Sequence, residues 1–245
     1  MTTMDINADV GEGFDDEGLL PIVSSINIAC GFHAGDASTM RRLCALAVDY
    51  GIAIGAHTGY ADREGFGRRR LDIDAQTLSD DVTYQVGALV ACAASAGAKV
   101  TYVKPHGEMY NRAAADAEHA QAIVAGISAT GLAIGVLGPP GSRLLEAAAQ
   151  AGLTTYGEGF ADRAYAPDGS LVGRSEPDAV LDQAAAAQQA LSIARDGSVR
   201  TRDGSRLRLS AQSLCVHSDS PGAVEIATAV RRVLEEHAVH IRRFA

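Results

Sequence analysis

Short apolar runs alternate with helix-patterned stretches along the whole chain, and this alternation restricts the fold more than any other feature. A strand separated from the next by a helix joins its neighbour in parallel, and the right-handed crossover helix covers the sheet. The sequence predicts strands at residues 3–7, 25–29, 52–56, 98–104, 133–137, 154–157 and 213–217. Helical patterns are predicted at 39–50, 74–96, 116–130, 142–151, 177–194 and 221–237. In the last, Ala223, Ile226, Ala227, Val230, Val233 and Leu234 recur at spacings of three and four, giving one apolar stripe. Pro221 after Ser220 reads as the first helical residue behind a serine cap. Gly51, Gly97, Gly131 and Gly152 each follow a helical pattern, where a left-handed cap residue belongs. Residues 199–209 break the alternation and predict a hairpin turning at Asp203-Gly204, outside the main sheet. The reading is one domain over residues 1–245, an irregular (β/α) barrel of about seven mainly parallel strands. An open doubly wound sheet is the competing topology.

Composition narrows the function. The net charge of −9 argues against a nucleic-acid partner, which needs clustered cations to neutralise phosphates. Arg68, Arg69 and Arg70 form the one basic run and read as a solvated loop. Cys30, Cys44, Cys92 and Cys215 include no close pair, and no secretory leader opens the sequence, so reduced thiols in a cytoplasm are expected. No window approaches the roughly 18 apolar residues of a membrane helix.

Four of seven histidines stand directly after an apolar strand, beside Gly or Ser: His33, His57, His106 and His217. His119, His237 and His240 lie in helical or terminal segments and read as surface residues. In parallel α/β folds the carboxyl ends of the strands converge on one face, so these four are expected to share one pocket. Acids accompany them: Asp9 and Glu12 after the first strand, Asp36, Asp62, Asp219, and Glu158 with Asp162. A helix N-cap is the plain alternative for each acid, most of all for Asp36 and Asp219. Asp9 sits in a Gly-containing turn where a cap is not obviously needed.

Imidazoles beside carboxylates supply general acid–base pairs. Such a set could also hold a divalent metal, although no H-E-x-x-H or cysteine cluster supports that. No P-loop or dinucleotide fingerprint is present. The segment Gly138–Ser142 opens a helix and reads as an anion nest or a plain turn.

Taken together, INADVGEGF, SSINIACGFHAGD, AIGAHTGYADREGFGRR, TYQVGAL, VKPHGEMYN, EGFADRAYAPDGSLVGR and CVHSD resemble the signature blocks of the LamB/YcsF lactam-utilisation family, in order from residue 5 to 219. The resemblance implies a barrel similar to that of polysaccharide deacetylases. It also implies ATP-dependent opening of the 5-oxoproline lactam to L-glutamate, the role being that of the A subunit of a 5-oxoprolinase with subunits B and C. ATP is then a co-substrate, and a homo-oligomer is compatible with the pattern. By position, Asp9, His33, Asp36, His57, His106 and His217 would be catalytic, and Asn27, Lys104, Asp162 and Arg163 would bind substrate. A base toward water would be His33 with Asp36 or His57 with Asp9, and Lys104 and Arg163 would stabilise negative charge. The chain departs from the family pattern at Thr58, Glu108-Met109 and Ser218. Two rival functions are a stand-alone metal-dependent deacetylase or amidohydrolase, and a non-catalytic ligand-binding subunit.

Overall fold

Every second residue of the first strand is polar, and the structure turns that face inward. The computed structural model describes residues 2–14 and 16–245. Strands β1 (Thr3–Val10), β2 (Ser25–Ala29), β3 (Ala53–Thr58), β4 (Val100–Pro105), β5 (Gly135–Gly138) and β6 (Thr155–Phe160) pair in sequence, all parallel. A hairpin of β7 (Ser198–Arg200) and β8 (Arg206–Arg208) forms a separate antiparallel ladder, as expected. Strand β9 (Ser213–Val216) then pairs with both β6 and β1. That double pairing closes a seven-stranded parallel barrel and rules out the open sheet. A short β10 (His240–Ile241), not foreseen, adds to the start of β1.

Side-chain alternation divides the barrel into two environments. Met4, Ile6, Ala8 and Val10 of β1 face the helices, with Ile26, Ile28, Ile54, Ala56, Val103, Val136, Leu214 and Val216 from the other strands. Asp5, Asn7 and Asp9 face the interior, where they meet Ser213, Asn27 and Glu158. Lower in the barrel, Gly55 leaves room for the Tyr102 ring, which overlies the place a β-carbon would take. Tyr102 and Tyr156 both pack on Phe244, at ring-centroid separations of 4.8 and 4.5 Å.

Helices α1 (Ala37–Tyr50), α2 (Ala75–Ser95), α3 (Gly107–Ala115), α4 (Ala117–Ala129), α5 (Arg143–Gln150), α6 (Gln183–Asp196) and α7 (Ala223–Glu236) cover the outside. Among the described residues, no helix is long and apolar enough to cross a membrane. Gly51, Gly97, Gly131 and Gly152 all have positive φ at or next to helix ends. Two expectations fail. Helix α6 begins at Gln183 rather than near residue 177, because Asp182 caps it and Val180 is held in a bridge to Arg163. Helix α7 is entered through Gly222 in a left-handed conformation, not through Pro221 with a Ser220 cap. Ser220 instead donates to Asp162. Helix α3, which the helical patterns do not include, follows His106 at once.

Asp5 gives the interior a measurable signature. It is fully buried and accepts from the hydroxyls of Ser24, Ser25 and Ser213. Burial outweighs those bonds and raises its carboxyl pKa to about 6, above the ordinary 3.8. A raised carboxyl pKa means the folded chain holds the proton more tightly than the unfolded one. Stability should therefore fall as pH rises from about 4 to 6, by at most roughly 3 kcal/mol from this group. Asp5→Asn should flatten that part of the pH–stability curve in denaturant melts. An unchanged slope would mean Asp5 is ionised without penalty.

Candidate active site

Lys104 near the top of β4 organises the centre of the barrel. Its Nζ lies 2.8 Å from Asp9 Oδ1 and 2.8 Å from Glu158 Oε1. Cys215 Sγ is 3.2 Å from the same ammonium. Burial opposes charge on Lys104, but Asp9, Cys215 and Glu158 hold its pKa well above the usual lysine value. Asn7 bridges Glu158 and Ser213, while Asn27 donates to Asn7 at 2.7 Å and to Asp9 at 2.8 Å. Tyr110 of α3 donates to Glu158 Oε2 at 2.7 Å. A buried charge is tolerable when paired and hydrogen-bonded in this way, and the network fixes the Asp9 carboxylate in one place.

Above Asp9, three imidazoles and one carboxylate converge. Glu12 Oε1 lies 3.0 Å from His33 Nε2, 3.1 Å from His106 Nδ1 and 3.5 Å from His57 Nε2. His57 Nε2 is also 3.5 Å from Asp9 Oδ2 and 3.0 Å from His106 Nδ1. The outer nitrogens face backbone carbonyls: His57 Nδ1 donates to Lys104 O at 2.9 Å and His106 Nε2 to Phe66 O at 2.8 Å. Those bonds fix both tautomers, so the neutral rings aim two lone pairs at each other and at Glu12. His33 stacks flat on His106 at 3.9 Å, and its buried Nδ1 has no partner among the described residues. Burial first, then the neighbouring His106, pushes His33 down to about 3. Burial likewise lowers His106. His57 goes the other way: burial opposes its charge, yet Asp9 raises its pKa above the ordinary value. Glu12 is held well below the carboxylate range, against burial, by the imidazoles of His106 and His33 beside it.

A second pair faces this cluster. His217 Nδ1 donates to Asp162, 3.0 Å from Oδ1 and 3.1 Å from Oδ2, and the ring stacks on Phe160. Asp162 also accepts from the His217 backbone N–H and from Ser220 Oγ. Burial would raise its carboxyl pKa, but His217 brings it below the ordinary value. With Nδ1 committed, neutral His217 carries a bare Nε2. Its side chain is 13 % exposed, against 1 % for His57, so His217 is the ring of the two that water can reach. One ring nitrogen of His217, an Asp9 oxygen and Cys215 Sγ lie within 4.8 Å of one another, so the two sets meet at Asp9.

The loop after β3 covers the cluster. Phe66 adopts φ 55°, which turns its carbonyl to His106 and its ring edge-on to His106 and His33 at 5.2 and 5.9 Å. Gly59, at the root of this loop, lies where a β-carbon would strike His33 Nδ1.

The structure gathers Asp9, Asn27, His33, His57, Lys104, His106, Asp162 and His217 around one barrel mouth. Asp36 does not join them. It is exposed and caps α1 through the Thr39 N–H, so the His33–Asp36 pair does not form. Arg163 donates to Ala179 O and Val172 O, which ties down the following loop instead of facing a substrate. Asp9 lies on β1, not in a turn after it, because the strand continues to Val10. Glu158 is likewise within β6. Asp219 is no helix cap but binds Arg68 and Arg174. The arginine run is therefore not merely solvated: Arg68 reaches Asp219 and Arg69 binds Asp62. His119 is buried against the Tyr60 hydroxyl rather than on the surface. Among the departures, the hydroxyl of Ser218 is buried without a partner among the described residues, and Glu108 lies in the first turn of α3. Asn7, Cys215 and Tyr110 enter the site unforeseen, and Glu12, read only as an acid accompanying the histidines, proves to touch three of them. Period-two polarity from Asp5 to Asp9 is the signal that could have placed Asn7.

The sequence model of the LamB/YcsF family matches residues 4–245. A protein of Streptomyces coelicolor, named as the A subunit of 5-oxoprolinase, is 53% identical, covering 99% of this chain and 100% of that one. The crystal structure of a lactam utilization protein from Thermus thermophilus superposes with a TM-score of 0.93 at 38% identity, covering 99% of this chain and 100% of that one. A family 4 carbohydrate esterase from Streptomyces lividans shares the fold alone, with a TM-score of 0.51 at 10% identity over 100% of this chain and 93% of that one.

Proposed function

The chain belongs to the LamB/YcsF family, and we propose that its pocket opens the lactam ring of 5-oxoproline to L-glutamate, coupled to ATP hydrolysis. In that role it is the A subunit of a cytoplasmic 5-oxoprolinase and works with subunits B and C. The observation that carries this reading is geometric: His217, with Nδ1 held by Asp162, and His57, with Nε2 3.5 Å from Asp9 Oδ2, meet at Asp9. Amide hydrolysis needs a pair of acid–base groups. A base takes a proton from water as its oxygen attacks the ring carbon, and an acid delivers a proton to nitrogen as the C–N bond breaks.

In this mechanism His217 is the base and Asp162 holds its tautomer, in the manner of a carboxylate-oriented imidazole. His57, with Nδ1 locked on Lys104 O, presents its Nε2 proton on the other side. Lys104 keeps Asp9 ionised, and the buried setting strengthens its field at the reacting carbonyl. The lactam is resonance-stabilised, so ATP first transfers its γ-phosphoryl group to the amide oxygen. Water then adds at carbon, and the C–N bond breaks as nitrogen takes its proton to leave an acyl phosphate. A second water hydrolyses that acyl phosphate, giving ADP, phosphate and glutamate. The test is glutamate formation from 5-oxoproline and ATP by this chain with and without subunits B and C. Turnover should appear only in the assembled enzyme, and full turnover by the isolated chain would contradict this division of labour.

The converging lone pairs favour a second reading of the same cluster. Glu12, His33, His57 and His106 fit a divalent ion, since their donor atoms lie within 4.8 Å of one another. Two of the rings also carry the carbonyl partners usual for metal-bound histidine. A bound ion would polarise the amide carbonyl or lower the pKa of a bound water. Metal analysis of chain purified without chelators checks this, together with thermal melts after adding zinc. Binding at 100 times Kd stabilises by about 2.7 kcal/mol, so a raised Tm is expected, absent in His106→Ala. No bound metal and no shift would leave the cluster to protons alone.

A further inference from the structure

Two arginines from distant loops meet on one carboxylate over the barrel mouth. Arg68 Nη2 lies 2.5 Å from Asp219 Oδ2, and Arg174 Nη2 lies 2.8 Å from Asp219 Oδ1. Two positive charges against one negative leave this bridge at +1 in a chain of net charge −9. Among the described residues, neither guanidinium makes a second hydrogen bond to protein, although each has five N–H donors. Their side chains are 39 % and 26 % exposed, while Asp219 beneath them is 9 % exposed.

The bridge spans the two halves of the site. Arg68 lies over the Phe66 ring at 4.9 Å, and that ring touches His106 and His33. Asp219 stands two residues beyond His217, next to Ser220, which bonds Asp162. The bridge is thus linked through Phe66 to the His33–His106 side and through the 217–220 segment to the His217–Asp162 side. Arginine forks match carboxylates and phosphates in shape and charge.

We propose that Arg68 and Arg174 receive an anionic group of the ligand, with Asp219 holding both forks in place until that group arrives. This rests on the lactam reading in naming the group as the carboxylate of 5-oxoproline, because a phosphate of the nucleotide has the same chemistry. Arg163 stands apart from this bridge: it is buried, with two of its donors on Ala179 O and Val172 O.

Calorimetric titration of the full chain tests it with three probes: 5-oxoproline, 2-pyrrolidinone (the same lactam without the carboxylate) and ATP. Arg68→Gln and Arg174→Gln should each weaken 5-oxoproline binding by roughly 10- to 100-fold, the size of a charge-assisted bond. Binding of 2-pyrrolidinone should not change in either variant. Arg68→Lys, which keeps the charge without the fork, should fall between, and Arg70→Gln should behave as wild type. A loss confined to ATP supports the anion site and assigns it to phosphate. Wild-type affinity for both anions in both glutamine variants, or no anion binding by the wild-type chain, overturns the inference. Turnover of 5-oxoproline by the assembled enzyme decides the proposed function separately.

Discussion

His217→Ala should lower the rate of lactam opening in the assembled enzyme by roughly 100- to 10,000-fold, the usual contribution of a positioned acid or base. The ring stacks on Phe160 and its Nδ1 is committed to Asp162, so Nε2 is the atom left for water. The fold should survive, because Asp162 keeps the Ser220 hydroxyl and the backbone N–H of residue 217. Asp162→Asn should cost activity in the same range for another reason. An amide can turn its NH2 toward Nδ1, which drives the ring proton onto Nε2, where the base needs a lone pair. The double variant should be little worse than the worse single one, since residues acting as a unit are not additive. Turnover per folded molecule, beside a thermal melt, checks all three. Near-normal rates with a lowered Tm would assign the pair to loop anchoring.

His57→Ala and Asp9→Asn should also each lose roughly 100- to 10,000-fold, again without additivity. In the proposed mechanism His57 carries the proton for the departing nitrogen, and Asp9 raises the pKa that keeps it there. In Asp9→Asn the Lys104 ammonium still has Glu158 at 2.8 Å, so its charge is not stranded and the barrel should fold. The readout that separates chemistry from packing is again the rate in folded material. If both variants turn over normally but melt early, the Asp9–His57 contact is a barrel brace and the acid lies elsewhere.

The strand–helix alternation was enough to favour a parallel barrel over an open sheet, closure being shown only by the pairing of β9 with both β6 and β1, and the hairpin was visible in its Asp203-Gly204 turn. Element ends were harder, for a physical reason. Asp9, His57 and Glu158 look like residues after strands because they are polar, yet in a barrel with a charged interior polar residues belong inside the strands. The convergence of His33, His57, His106 and His217 followed from topology alone. What did not follow was the pairing within it. Asp36 is three residues from His33 yet points to its own helix, whereas Glu12, 21 residues away, touches three rings. Partners of this kind are set by loop paths such as the Phe66 turn, which no periodicity records. The same holds for Asp219 and Arg68, joined across 151 positions.

The claim at the centre is that the bond breaks in this pocket. The most direct test assembles the His57→Ala/His217→Ala chain with subunits B and C, verifies assembly, and measures glutamate released from 5-oxoproline and ATP. The expected result is an assembly of normal composition whose glutamate production falls to background. Glutamate released at the wild-type rate would contradict the account and make this chain a holder of ligand for chemistry done by its partners.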